Sequence, residues 1–311
     1  MKKRSLFRLP TLSASLLLGV LMLSPQFPVG TPSIPASPAY SAAWKERAFV
    51  VGKSERTTLE LIRTCSRPYS YFYTFDQFVE RFRGTPYGAA TSTMLRGYKE
   101  GMTLINFESM DCVTLIENFV ALTLTCRQMD RTDGEISDAQ ALDMFLTQIE
   151  NVRYYEGNNC KWEDRIYYFT QALEELESKG IVKDIGALAG DPFSKRIQYM
   201  SQNKRKYPGI SDWNRIAQYE KRLTDAGLRW FPLNQLDRYA SVAESGDIIA
   251  LATSVDGLDV SHCGLVHVDE GALYFSHASS IKREMVYKQD LFDYLSNRTS
   301  ITGIFVYRPQ I

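Results

Sequence analysis

Cysteine and histidine are the side chains in this sequence with nucleophilic and proton-transfer chemistry to offer. Cys112 stands in Asp111-Cys112-Val113-Thr114, and the three histidines, His262, His267 and His277, lie close together far downstream. A thiol acts as a nucleophile once deprotonated. It needs a base within hydrogen-bond reach, and that base needs a third group to hold it. Cys112 as nucleophile, His262 as base and His277 as the orienting group would satisfy this. Two other readings use the same residues. Free cysteines are commonly buried as small apolar side chains, and a cysteine with two histidines can ligate a metal. No carboxylate or second cysteine sits at close ligand spacing, and no CxxC pair is present. Neither a metal nor another cofactor is therefore expected. His267 is read as a packing residue.

The cysteine must be positioned by the stretch that follows it. Val113, Leu115, Ile116, Phe119, Val120, Ala121, Leu122 and Leu124 place apolar groups on almost every side, the pattern of a buried helix. Asp111 is a favoured N-cap, so Cys112 would be the first helical residue. There the positive end of the macrodipole favours a thiolate.

The histidines must be positioned by a hairpin. Leu258–Val268 and Ala272–Ser279 read as strands around Asp269-Glu270-Gly271. Side chains alternate along a strand, so His262 and His277 share a face only if the turn has an even residue count or a bulge. A four-residue loop, 268–271, would pair 262 with 277 directly. Gly264 and Ala278-Ser279-Ser280 would leave open space beside the rings, and His267 would point to the other face.

The remaining chain supplies the frame. Residues 44–65 and 75–82 read as helical and 103–107 as a short strand before Asp111. A mostly helical region follows, with candidates at 139–151, 161–179 and 212–223. From Ala243 the pattern turns to strands, at 246–251, in the hairpin, and at 304–307 before Pro309. A helix followed by successive antiparallel strands is an α+β arrangement.

The chain opens with Lys2, Lys3, Arg4 and Arg8 before an apolar stretch, Leu12 to Leu23, too short to span a bilayer. Residues 1–43 are read as a signal peptide and Pro-rich segment, and 44–311 as a single domain. Export to the periplasm or beyond is expected, without stable membrane insertion once the signal is removed. The 36 basic and 36 acidic residues balance, and loss of residues 1–43 leaves a net charge of −4. Nucleic acid is therefore not an expected partner. Five cysteines leave at least one thiol without an internal partner. If Cys112 stays reduced, Cys65, Cys126, Cys160 and Cys263 could be free or form one or two bridges. Cys112 cannot bridge Cys126 on one straight helix, because fourteen residues separate them by about 21 Å.

Asp111-Cys112-Val113-Thr114, Gly246-Asp247-Ile248-Ile249, Ser261-His262-Cys263-Gly264-Leu265 and Ser276-His277-Ala278-Ser279 together resemble the NlpC-type cell-wall peptidases of the papain fold. Further stretches resemble one branch of them, bacterial N-acetylmuramoyl-L-alanine amidases formerly classed as a domain of unknown function. These are Gly84-Thr85-Pro86-Tyr87, Asn106, Glu117-Asn118, Tyr207-Pro208, Gly257-Leu258-Asp259-Val260 and Tyr307-Arg308-Pro309. The resemblance implies a papain-like core with a large helical insertion at about 127–242. It also implies cleavage of the lactyl–L-alanine amide in peptidoglycan fragments. Tyr87, Asn106, Asp259 and Ser261 are the expected substrate contacts. Cys263 departs from the family, which usually carries valine there, and is expected to point into the sheet without altering the catalytic face. The alternatives are a γ-D-glutamyl-diamino-acid endopeptidase, an inactive wall-binding module, and a zinc enzyme.

Overall fold

The computed structural model describes residues 44–65, 67–88, 101–155 and 160–310. The expected signal segment, 1–43, lies outside them. Its central element is the helix Cys112–Asp130, whose side chains from Thr114 to Thr123 are all buried. Asp111 caps it: Oδ1 accepts from the Thr114 N–H at 2.7 Å, and the Thr114 hydroxyl returns to the Asp111 N–H at 2.9 Å. This reciprocal pairing satisfies two backbone donors that a helix start leaves open.

The helix lies on a mixed-order antiparallel sheet. Its strands are β3 (Val182–Asp184), β4 (Asp191–Pro192), β5 (Arg229–Pro232), β6 (Ile248–Thr253), β7 (Val260–Asp269), β8 (Ala272–Ser279), β9 (Glu284–Asp290) and β10 (Ile301–Pro309). The spatial order is β4-β5-β10-β6-β7-β8-β9, with β3 pairing a further stretch of β10. A separate parallel pair joins β1 (Ala48–Val50) to β2 (Thr103–Ile105). The two-residue period of a strand divides the core. Ile248, Ala250, Cys263, Leu265, Ala278, Phe305 and Tyr307 face the Cys112 helix. Ile249, Leu251, Val266, Phe275, Ile304 and Val306 face the other way, against Tyr239, Leu291, Tyr294 and Leu295.

Several sequence motifs turn out to be fastenings. Arg308 grips Asp247 through two N–H donors at 2.7 and 3.0 Å, and the Tyr239 hydroxyl donates to the same carboxylate at 3.1 Å. Gly246 has φ +90°, and a Cβ there would meet the Tyr71 ring at 2.5 Å, so glycine is required. Glu117, deep in the Cys112 helix, accepts from Arg153 Nε at 2.8 Å and Arg165 Nη2 at 3.0 Å. Burial pushes that carboxyl up, but the two guanidiniums hold it below its ordinary range. This links the helix to the region that follows it.

Helices Asp138–Arg153, Phe169–Ser178 and Trp213–Asp225 populate that region, each near the expected place. It is not purely helical, however: β3, β4 and β5 come from it and extend the sheet past β10. Residues 48–50 are strand rather than helix because they pair with β2. The 161–179 helix begins only at Phe169, after a single 3-10 turn at Trp162–Asp164. Strand β9 and the helix Leu291–Ser296 carry no strong sequence signal and were not expected. The described residues belong to one compact unit. Among them no helix is long and apolar enough to cross a membrane.

Candidate active site

The first turn of the Cys112 helix meets the sheet where β7 and β8 part. Their pairing runs from Asp269↔Ala272 to Leu265↔Ser276 and extends no further. The turn between them is two residues, Glu270 and Gly271, with φ +48° and +80°, the backbone of a type I′ hairpin. The expected four-residue loop is thus corrected. Its even parity is kept, so His262 and His277 share a face, but the register sets His277 level with Gly264 rather than opposite His262. The offset is bridged by the rings: His262 Nε2 and His277 Nδ1 lie 2.7 Å apart. Nor is the space beside Gly264 open. The Phe275 ring crosses it so closely that a Cβ would come within 2.4 Å, and that ring stacks on His277 at 4.5 Å.

Cys112 is half-buried, and the His262 imidazole is near enough to act on its thiol. The adjacent Cys263 thiol does most to hold the Cys112 thiol well below its ordinary range. The charge and hydrogen bond of His262 add to this against the opposing effect of burial. Cys263 is therefore not remote from Cys112, as its strand parity suggested. It points to the helix side of the sheet, where the helix start comes down, and its Sγ donates to the Cys112 carbonyl at 3.1 Å. Burial pushes its own thiol well up, so it stays a donor.

Beyond His262 the hydrogen bonds run in one direction. Burial, aided by the nearby His262, lowers His277 to about 3, so its ring is neutral. His277 Nε2 lies 3.3 Å from Gln289 Oε1. An amide oxygen only accepts, so Nε2 carries the proton and Nδ1 is the free lone pair. His262 Nε2–H then donates to His277, which leaves Nδ1 as the unprotonated nitrogen of His262. Gln289 on β9 was missed, since nothing in the sequence pattern marks β9 as a neighbour of the hairpin. Tyr294 was missed likewise; its ring packs against both histidines, with centroids at 6.1 and 4.9 Å.

The four expected substrate contacts divide. The Tyr87 backbone is stitched to Arg283, and Tyr87 bridges to Met110, so the residue stands beside Cys112. Burial first, then the neighbouring Cys112 and Asp111, push its hydroxyl up to about 12. Ser261 is exposed at the rim of the groove next to His262. Asn106 instead shapes the loop before the helix, its Oδ1 accepting from Glu108 and Ser109 N–H groups. Asp259 is 1% exposed, and its Oδ2 accepts from the Thr170 N–H and hydroxyl at 3.0 and 2.7 Å. Both are tied to their own fold rather than brought to the thiol.

His267 lies on the opposite face, bonded to Ser276 Oγ at 2.7 Å and packed on Phe75. Cys65 and Cys126 form a disulfide, which clamps the segment after the Ser54–Arg63 helix to the Cys112 helix. Cys112, Cys160 and Cys263 are free thiols. Among the described residues no three His, Cys, Asp or Glu side chains converge in a geometry that could hold a metal ion.

The family model described as AmiA-like, N-acetylmuramoyl-L-alanine amidase-like, matches residues 77–304. Among solved structures, a Bacteroides uniformis N-acetylmuramoyl-L-alanine amidase is 26% identical with a TM-score of 0.62, over 76% of this chain and 99% of that one. A Bacteroides fragilis protein described provisionally as a xylanase is 29% identical with a TM-score of 0.61, over 75% and 99%. A Legionella pneumophila protein at 18% identity and a TM-score of 0.59, over 86% and 96%, shares the fold. None of the functionally curated proteins matches the chain.

Proposed function

This chain belongs to the N-acetylmuramoyl-L-alanine amidase-like family, and we propose that it is a cysteine hydrolase with the NlpC-type, papain-like layout. Exported to the periplasm or beyond, it would cleave the amide between the lactyl group of N-acetylmuramic acid and L-alanine in peptidoglycan fragments. The observation that carries the reading is the 2.7 Å contact between His262 and His277 beside a thiol at the start of a capped helix.

In this mechanism His262 Nδ1 takes the proton of Cys112, and the thiolate attacks the lactyl carbonyl carbon. The carbonyl oxygen gains the negative charge. The Cys112 backbone N–H, which no group among the described residues accepts, donates to it, an interaction worth about 3 kcal/mol in other hydrolases. As the tetrahedral intermediate collapses, the C–N bond breaks and His262 passes its proton to the departing alanine nitrogen. The acyl group remains as a thioester on Cys112. Water, deprotonated by His262, then attacks the thioester, and the lactyl carboxylic acid leaves as the thiol re-forms. Throughout, His277 accepts from His262 Nε2 and so stabilises the imidazolium without taking its proton, as its strong preference for the neutral form requires.

A glycosidase reading, suggested by the xylanase description, would require two carboxyl groups flanking one bond. Asp111, the carboxylate next to the thiol, is engaged as the helix cap. The test is mass spectrometry of a muramoyl-peptide digest with wild type and Cys112→Ala. Release of a peptide beginning with free L-alanine by wild type alone is expected. Release of a peptide beginning at the diamino acid, with muramoyl-L-alanyl-D-glutamate left behind, would assign the endopeptidase activity instead, and equal turnover by Cys112→Ala would end the cysteine mechanism.

A further inference from the structure

A groove of about 190 Å³ opens beside His262, lined by Ser261, Ser279, Tyr294, Arg298 and Ser300 among others. Its walls carry hydroxyls and a single guanidinium. Arg298 follows the helix Leu291–Ser296, and its guanidinium lies over the Tyr294 ring, 4.7 Å from the centroid. The same ring packs on His262 and His277. Among the described residues no carboxylate forms an ion pair with Arg298, whereas Arg153, Arg165, Arg238 and Arg308 each have one. An arginine held over an aromatic ring, next to His262 and without an ion-pair partner among the described residues, presents a fork suited to a carboxylate or phosphate.

The direction of the chemistry says which part of the substrate reaches it. The base that takes the thiol proton also protonates the leaving nitrogen, so the leaving portion must extend on the His262 side of the thiol. In the proposed reaction that portion is the stem peptide. The muramoyl side carries no free carboxylate near the scissile bond, because its lactyl carboxyl is the acyl group itself. The peptide carries its first free carboxylate on the glutamate after L-alanine. An extended peptide advances about 3.3–3.6 Å per residue. The ring-to-ring and ring-to-guanidinium steps here are 6.1 and 4.7 Å, so a carboxylate on the second leaving residue falls within reach.

We infer that Arg298 is a specificity-determining residue that binds the free carboxylate of the second stem-peptide residue, in the groove that holds the leaving peptide. This rests on the amidase reading above, and its test separates the two. Two muramoyl tripeptides would be compared, identical except that the second residue's α-carboxyl is free or amidated. Wild type is expected to favour the free acid in kcat/KM by roughly 10- to 100-fold, the range of a charge-assisted hydrogen bond. Arg298→Met should bring that ratio to within about threefold of one, and Arg298→Lys should restore part of it. A support role for Tyr294 would lower both substrates together and leave the ratio unchanged, which would overturn the inference. In parallel, calorimetric titration of the free tripeptide into Cys112→Ala and Cys112→Ala/Arg298→Met needs no turnover. Weaker binding to the double variant is expected, and equal affinity overturns the inference. If wild type cleaves neither substrate at the lactyl–alanine bond, the amidase reading fails while the titration still decides the role of Arg298.

Discussion

His277 and His267 sit on the same hairpin, one on each strand. Both are buried, both are held neutral mainly by that burial, to about 3 and about 4, and both have a partner at 2.7 Å. They differ in the face they occupy and in what stands behind the partner. His267 meets Ser276, whose oxygen also accepts from the Lys288 N–H, and the network ends there under Phe75. His277 meets a second imidazole, which in turn reaches a thiol at a helix start. Burial, neutrality and a short hydrogen bond are therefore common to both histidines, and what sets His277 apart is its link through His262 toward Cys112.

The largest expected effect separates the two networks. His262→Ala should lower kcat by roughly 10⁴-fold, as loss of the base does in other nucleophile–base sites. His267→Gln should leave kcat within a few fold. Steady-state rates on a muramoyl peptide check both, and a His267 variant as impaired as the His262 one would erase the distinction.

The second effect is on stability. A histidine whose folded pKa lies below its unfolded value near 6.5 takes up a proton more readily when unfolded. Stability is therefore full above about pH 6.5 and declines as pH falls toward the folded values, about 4 for His267 and about 3 for His277. Melting temperature should drop steadily between those limits. His267→Gln should flatten part of that slope, leaving the share that belongs to His277. An unchanged slope would mean that His267 does not titrate on unfolding.

The smallest effect concerns Cys263, which has no counterpart beside His267. Cys263→Val removes the thiol that does most to lower Cys112. The acid limb of the kcat/KM profile should then move to higher pH, with a modest loss at neutral pH. A profile that does not move would make the Cys263–Cys112 contact purely one of packing.

How much of this was legible along the chain follows from the range of each interaction. Asp111 as a cap, Cys112 as the first helical residue and the common face of His262 and His277 depend on neighbours within a turn or a hairpin. Helix periodicity, capping chemistry and strand alternation carry them, and the antiparallel sheet followed from the same patterns. The two-residue turn was misjudged because Val268 and Asp269 can end a strand or begin a loop, and only pairing with Ala272 and Leu273 decides. Gln289 behind His277, Arg298 over Tyr294, Cys263 against the Cys112 carbonyl and the inward turn of Asp259 toward Thr170 join residues from separate elements. Their proximity arises only when β9, the last helix and the Phe169–Ser178 helix close on the sheet. The chain alone could therefore name a candidate nucleophile and the imidazoles proposed to serve it. The tertiary packing decided which proton each ring carries and which groove lies beside the base, because those depend on contacts that no local periodicity encodes.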